Sequence, residues 1–421
     1  MIEKYFKKPE TWDRIRACWL FEPIDRYVRW LCGQNYAEGN VQARVPLLIR
    51  FADYARSRGA KSWPELPGYV ASFVEECVSD QAVGRRSGRA RCQAANEVRG
   101  PVEQMLRLVL PDFVGRGRPR HPFPFTDQAR GFLGHLQEER GVTPTTIRQY
   151  FFQLRSLESY LNRIGVAELN ELSPDILSAF ITDRGQSWGK NAMIGLCASL
   201  RVFLRYAHRE RLISRDLSGS IQTPKRYRLA TIPRSISWAD VRRMLEAVDR
   251  RSANGKRDYA ILLLLVTYGL RSREVAALTL DDVDWQAERL RVPERKAGHS
   301  TAYPLSPVVG GAIVDYLKNG RPTTEDRHIF IRACAPFRAC GATCVSIRAS
   351  HYLHKAGVAV PRPGSHTLRH TCVQRLVDAQ FPLKAIGDYV GHRSPESTMI
   401  YAKVDVEALR EIALGQGEEI L

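Results

Sequence analysis

Six residues in the last third of this 421-residue chain have the types and spacing for phosphoryl chemistry. Arg271 lies in the string Gly269-Leu270-Arg271-Ser272-Arg273-Glu274, and Lys296 lies between two short strand-like runs. His366 and Arg369 follow in His366-Thr367-Leu368-Arg369-His370, then Gly391-His392 and finally Tyr401. Exchange at a phosphodiester needs a nucleophile, positive charge on the equatorial oxygens and a proton for the leaving oxygen. Two arginines, a lysine and two histidines suit that pentavalent transition state, and a tyrosine supplies the nucleophile.

The residue types argue for particular tasks. Guanidinium forks make bidentate contacts with non-bridging oxygens, so Arg271 and Arg369 are the candidate phosphate clamp. Glu274, one turn after Arg271, is placed to brace it. His366 and Arg369 stand at i and i+3, so one helical turn presents both to the same phosphate. His366 is then either a general base for the Tyr401 proton or a hydrogen-bond partner of the phosphate. His370 reads as a packing residue behind Arg369. Attack by the Tyr401 phenolate leaves a covalent phosphotyrosyl link, which conserves bond energy for religation without ATP.

In order and local spacing the set resembles the tyrosine recombinase/integrase family, over roughly residues 120 to 405. The nine residues from His392 to Tyr401 equal the family's separation. The resemblance implies that His392 donates to a non-bridging oxygen. It also implies that Lys296, on a hairpin turn, is a mobile general acid for the 5′-hydroxyl, with Arg295 as the alternative. It further implies a helical core-binding domain before the catalytic domain, and a chain shaped as a C-shaped DNA clamp. The implied reaction is cutting and rejoining of DNA through a 3′-phosphotyrosyl intermediate in a synaptic tetramer. No cofactor and no metal are expected. The amphipathic tail from Val404 to Leu421 is expected to dock on a neighbouring protomer or in cis.

The elements that must position these residues are mostly helices. Apolar residues at helical spacing mark Ile24 to Leu31, Val41 to Arg58 and Tyr69 to Val78. A basic, Gly-rich stretch with Arg85, Arg86, Arg89 and Arg91 follows. A second, with Arg116 and Arg118, predicts a linker near residues 110 to 124. Thr143-Pro144-Thr145-Thr146 caps a helix from Ile147 to Leu161. Ser173-Pro174 opens another through Phe180, and Asn191 to His208 makes a long one. Thr223-Pro224-Lys225-Arg226 is a short basic linker. Ser237 then caps a helix with Asp240 at its third position. Arg289 to Pro293 and Ala302 to Leu305 read as a β-hairpin around Lys296.

The expected fold class is therefore mainly α with a small β-hairpin, the catalytic part being α+β. Three domains are expected: a helical N-terminal extension at 1–118, a helical core-binding domain at 119–226 and a catalytic domain at 227–421. The first two look like copies of each other. Tyr54, Gly59 and Glu65-Leu66 recur as Tyr160, Gly165 and Glu171-Leu172, all offset by 106 residues. Phe73 and Phe180 match after a one-residue slip. Duplication explains this, and so does the generic look of small helical bundles.

Composition bounds the partners. A formal charge of +18 and a pI near 9.7 point to a polyanion, because Lys and Arg displace counterions from phosphates. Double-stranded DNA is the expected partner, with Arg85, Arg86, Arg89, Arg91, Arg116, Arg118, Lys225 and Arg226 as DNA-binding residues. Sister recombinases or a DNA-bending helper fit the same expectation. The longest apolar run, Ala260 to Leu270, has 11 residues, short of the roughly 20 that span a bilayer. With a charged start at Met1 to Lys8, a cytoplasmic protein without a membrane partner is expected. Nine cysteines without an export signal read as reduced thiols. Cys334, Cys340, Cys344, His351 and His354 offer zinc-ligand types, but not in a CxxC pair, so helix packing is their expected role.

No Walker-type motif is present, which argues against a nucleotide-driven motor or ligase. Asp281, Asp282 and Asp284 read as a turn or cap and not as a two-metal site. A catalytically silent DNA-binding protein and a type IB topoisomerase remain as rival readings. The N-terminal segment favours an integrase or transposon recombinase of a mobile element.

Overall fold

The computed structural model describes residues 2–80, 88–115, 122–225, 235–293, 300–391 and 398. The chain divides into two compact units, Met1–Gly115 with Leu229–Leu421, and Arg116–Arg228. The first unit holds two large, separate hydrophobic cores, one N-terminal and one C-terminal.

The N-terminal core is built by α1 (Pro9–Ala17), α2 (Phe21–Gly33), α3 (Glu38–Ser57), α4 (Val70–Asp80) and α5 (Gly88–Val109). The second unit holds α6 (Phe132–Gly134), continued by a π-helical turn His135–Glu139, then α7 (Pro144–Ile164), α8 (Pro174–Gly185) and α9 (Lys190–Arg209). Ser173 caps α8 by accepting the Ile176 N–H at 3.3 Å. Thr143 makes no such bond, and α7 starts on Pro144 at its first position, where a missing N–H costs nothing.

Helix α5 has no clear signal in the sequence. Its first turn, with Arg89 and Arg91, reads as a basic breaker, and Pro101 interrupts its interior. Burial of Val98, Val102, Met105 and Leu106 along one face holds the helix together nonetheless.

The offset repeat of the sequence reappears as repeated geometry. Gly59 follows α3 at φ 96° and Gly165 follows α7 at φ 78°, a region that only glycine enters cheaply. The Tyr54 and Phe73 rings lie 5.2 Å apart, as do those of Tyr160 and Phe180. Arg58 covers Tyr54 and pairs with Glu76, while Arg163 covers Tyr160 and pairs with Asp183. Glu65 accepts the Lys61 N–H and Glu171 accepts the Glu168 N–H, each within a short 3-10 turn. The contacts around α3 and α4 thus recur in the same order around α7 and α8.

The C-terminal core surrounds α11 (Ala253–Thr267), whose run Ala260 to Val266 is buried on every side. A helix apolar all round must be central. Packed about it are α10 (Trp238–Glu246), α12 (Ser272–Ala277), α13 (Pro307–Asn319), α14 (Ala342–Lys355), α15 (Ser365–Asp378) and α16 (Leu383–Val390). Ser237 caps α10 through the Asp240 N–H. A three-stranded antiparallel sheet, β1 (Val283–Asp284), β2 (Arg289–Val292) and β3 (Thr301–Pro304), lies in the order β1-β2-β3. Its register pairs Val292 with Thr301 and Arg289 with Pro304.

The fold is mainly helical with one small sheet among the described residues, in keeping with the class expected from the sequence. The aspartates after α12 serve the local turn and one ion pair. Asp282 accepts from the Thr279 N–H and hydroxyl, Asp281 pairs with Arg327, and Asp284 accepts two turn N–H groups. No helix among the described residues is long and apolar enough to cross a membrane.

Candidate active site

Arg271, Glu274, His366, Arg369 and His370 fall within the described residues. Lys296, His392 and Tyr401 lie outside them, as do Arg85, Arg86, Arg116, Arg118, Arg226 and the tail from Val404 to Leu421. Arg89 has a described backbone only. Arg91 is exposed on α5, and Lys225 is exposed near the end of the Arg116–Arg228 unit.

Arg271 occupies the N-cap of α12, directly after the turn that ends α11. The turn needs Gly269, which sits at φ 60°. A Cβ there would stand 3.0 Å from Val390 Cγ1 and 3.2 Å from Cys372 Sγ. Glu274 is buried and holds Arg271 twice. It accepts the Arg271 backbone N–H at 2.8 Å and an Nη1 donor at 2.7 Å.

The guanidinium's other arm, Nη2, donates to the Gly391 carbonyl at 2.8 Å. Arg369, 6% exposed, enters from the first turns of α15 and donates to the Gly269 and Val390 carbonyls at 2.5 and 2.7 Å. Both guanidiniums therefore grip the C-terminal carbonyls of α16, where the helix dipole is negative. A guanidinium has five donors. Among the described residues, Arg271 commits two side-chain donors and keeps three to offer an oxyanion.

His366 is exposed on the same turn of α15 as Arg369. Desolvation, then the charges of Arg369 and Arg271, hold its imidazole below the ordinary value. It is therefore neutral near pH 7, with a lone pair free to accept a proton. His370 is half-buried one turn on. The Ser365 hydroxyl meets that of Ser272 at 2.5 Å and ties the start of α15 to the start of α12.

Three tyrosines that sequence reasoning passed over fix the surrounding elements. Tyr303 of β3 donates to the Tyr389 carbonyl on α16, and Tyr389 donates to the Thr267 carbonyl at 3.1 Å. Tyr268 donates to the Pro304 carbonyl at 2.9 Å and accepts the Ser306 N–H at 2.8 Å. Strand β3 is thus bolted to α16 and to the end of α11. Only the fold reveals these partners, because each bond joins residues distant in sequence. Thr398, three residues before Tyr401, is 1% exposed. Its Oγ1 would stand 3.1 Å from a Cβ on Gly387, so Thr398 lies against α16.

The expected packing role of the cysteine and histidine group needs one amendment. Among the described residues no three His, Cys, Asp or Glu side chains converge as a metal ligand set. Cys340 and Cys344, however, approach each other directly, and His351 packs edge-on against Tyr352.

Comparison with known proteins gives a consistent picture. Residues 234–408 match the phage integrase family, and residues 129–211 match the phage integrase N-terminal SAM-like domain. The chain is 34% identical to "Putative integrase/recombinase y4rA" of Sinorhizobium fredii, over 92% of each chain. It is 28% identical to the tyrosine recombinase XerD of Mycobacterium tuberculosis, over 68% of this chain and 96% of that one. Among solved structures, it resembles the XerH site-specific recombinase bound to difH substrate, with a TM-score of 0.53 and 13% identity over 81% of this chain and 94% of that one. A lambda integrase dimer bound to a COC′ core site gives a TM-score of 0.54 and 15% identity, over 75% and 87% respectively.

Proposed function

The chain belongs to the phage integrase family of tyrosine recombinases, and on that premise we propose that it is a site-specific recombinase acting on duplex DNA through a 3′-phosphotyrosyl intermediate. The observation that carries the reading is the convergence of Arg271, Arg369 and His366 at the end of α16. Two fixed guanidiniums beside a neutral imidazole suit a phosphodiester whose charge grows in the transition state.

In this reading the scissile phosphate lies against the free donors of Arg271 and beside Arg369. Tyr401 attacks phosphorus, and the 5′-oxygen leaves. His366 accepts or shares the phenolic proton, His392 donates to a non-bridging oxygen, and Lys296 protonates the leaving 5′-oxygen. Glu274 holds Arg271, and His370 packs behind the clamp. A phosphotyrosyl ester stores the energy of the broken bond, so rejoining needs no ATP. The organic cations and the phenol supply the charge and the nucleophile, so the reaction proceeds without a metal.

The division into an extension at 1–118, a DNA-binding segment at 119–226 and a catalytic segment at 227–421 is part of the proposal. So are phosphate contacts from Arg85, Arg86, Arg89, Arg91, Arg116, Arg118, Lys225 and Arg226, a tetramer on DNA, and work in the cytoplasm for a mobile element. Sister recombinases or a bending helper fit beside it.

Strand transfer tests the proposal. Two duplexes taken from the DNA flanking the gene, differently labelled, are incubated with the protein in EDTA without nucleotide. The reading predicts joined products that carry both labels. Binding without joined products, on every flanking duplex tried, contradicts it.

A further inference from the structure

Cys340 and Cys344 lie in the C-terminal core and have no role in the reaction proposed above. The Cys340 thiol donates to Cys344 Sγ at 2.7 Å. A disulfide bond measures about 2.05 Å, so closure asks for a movement of well under one ångström at the sulfurs. Cys340 is fully buried, whereas Cys344 is half-buried at the third position of the 14-residue α14. Cys340's hydrogen bond, then the Arg257 guanidinium and Arg348, draw the Cys344 thiol down, while that bond and burial push Cys340 up. A partly accessible sulfur with thiolate character beside a buried partner is the arrangement of an attacking and a resolving cysteine.

The pair also sits where movement would be felt. The Cys340 N–H is fixed to the Phe330 carbonyl at 2.8 Å. Two residues past Cys344, Ser346 Oγ accepts from Ser365 Oγ at 3.5 Å and packs against Gly364. Ser365 precedes His366 and contacts Ser272, the neighbour of Arg271.

We propose that Cys340 and Cys344 are a modification site at which a hydroperoxide closes a reversible disulfide, and that closure slows the reaction at the neighbouring site through Ser346 and Ser365. The second half rests on the strand-exchange reading. In the first step the Cys344 thiolate attacks a peroxide oxygen. The O–O bond breaks, the sulfur loses two electrons to become a sulfenic acid, and hydroxide leaves. Cys340 then attacks that sulfur. The S–S bond forms, the S–O bond breaks, and the Cys340 proton leaves with the oxygen as water. Two thiols and one hydrogen peroxide become one disulfide and two waters. A thiol reductant reverses the change by exchange.

The test uses the full chain, reduced, freed of reductant and exposed to hydrogen peroxide, then alkylated and digested. The expected result is a peptide carrying both cysteines that has lost two hydrogens, resists alkylation and is restored by dithiothreitol. Cys344→Ser abolishes the product, and Cys340→Ser leaves a Cys344 sulfenic acid that dimedone traps. If Cys344 alkylates equally before and after peroxide, or pairs with the exposed Cys334, the dithiol is overturned. In parallel, the covalent DNA adduct yield is expected to drop several-fold on oxidation, recover with dithiothreitol and stay constant in Cys344→Ser. A disulfide that leaves the yield unchanged overturns the coupling. Reduced protein that forms no adduct refutes the strand-exchange reading, while the mass result still decides the dithiol.

Discussion

Replacing Glu274 with glutamine isolates what holds the first arginine. The carboxylate faces two donors, the Arg271 backbone N–H on Oε2 and Nη1 on Oε1. An amide keeps the shape but must turn its NH2 toward one of them, so one contact becomes donor against donor. Hydrogen bonds to charged groups contribute about 1.5–3 kcal/mol, and breaking a fully buried ion pair costs about 3–5 kcal/mol. Arg271's side chain is 24% exposed and can turn to water, which places the cost near the lower range, about 2–3 kcal/mol.

Part of this loss appears as stability and part as misplacement of the guanidinium. If most falls on placement, the single-turnover cleavage rate drops about 30- to 150-fold, at 1.36 kcal/mol per decade. DNA affinity, carried by many phosphate contacts, should change little. The assay is single-turnover cleavage at saturating protein, with denaturant unfolding measured alongside. A variant within twofold of wild type in rate and unchanged in midpoint would refute the bracing role of Glu274.

Three further outcomes follow from the geometry. Gly59→Ala and Gly165→Ala place a Cβ in open space at left-handed φ, so each should cost about 1–2 kcal/mol from backbone strain alone, similarly in both copies; urea unfolding of the two variants checks this. The cleavage rate should fall as pH drops through a His366 value below the ordinary 6.5, and His366→Gln should lose that acid limb. The folded state binds this proton less readily than the unfolded chain, so stability declines from about pH 6.5 downward toward the folded value. Single-turnover pH profiles and acid titration of the unfolding midpoint check both halves. Finally, Asp258→Ala strands the buried Arg257 without its partner and should cost about 3–5 kcal/mol, read as a lowered denaturation midpoint.

Local signals were legible in the sequence, and long-range partners were not. The spacing of apolar residues located α2, α3, α4 and α7 to α9, and the Ser-Pro and Ser-Trp-Ala-Asp strings located two helix starts. The repeat at constant offset was visible because its landmarks, a tyrosine, a left-handed glycine and a carboxylate turn, each serve a local purpose. Helix α5 escaped because Gly and Arg at its start and Pro101 within it look like breakers, while its stability comes from tertiary burial. The two-residue β1 is too short to show a period.

At the site, the i, i+3 pairing of His366 with Arg369 and the bracing of Arg271 by Glu274 follow from helix geometry. Capping of the α16 carbonyls by both arginines does not, since Gly269, Arg369 and Val390 meet only in the fold. The same holds for the tyrosine bolts and for the two sulfurs of Cys340 and Cys344. Their four-residue interval lacks the CxxC spacing, yet the first turn of α14 folds it into contact.

In the proposed reaction Tyr401 becomes covalently joined to a DNA 3′-phosphate. The most direct measurement incubates nicked duplexes from the flanking DNA with wild type and Tyr401→Phe in EDTA, then separates the mixtures in SDS. Wild type is expected to give an SDS-resistant adduct, mapped by proteolysis to the peptide containing Tyr401, and the phenylalanine variant none. An adduct of equal yield in both proteins, or tight binding by both with no adduct in either, would contradict it.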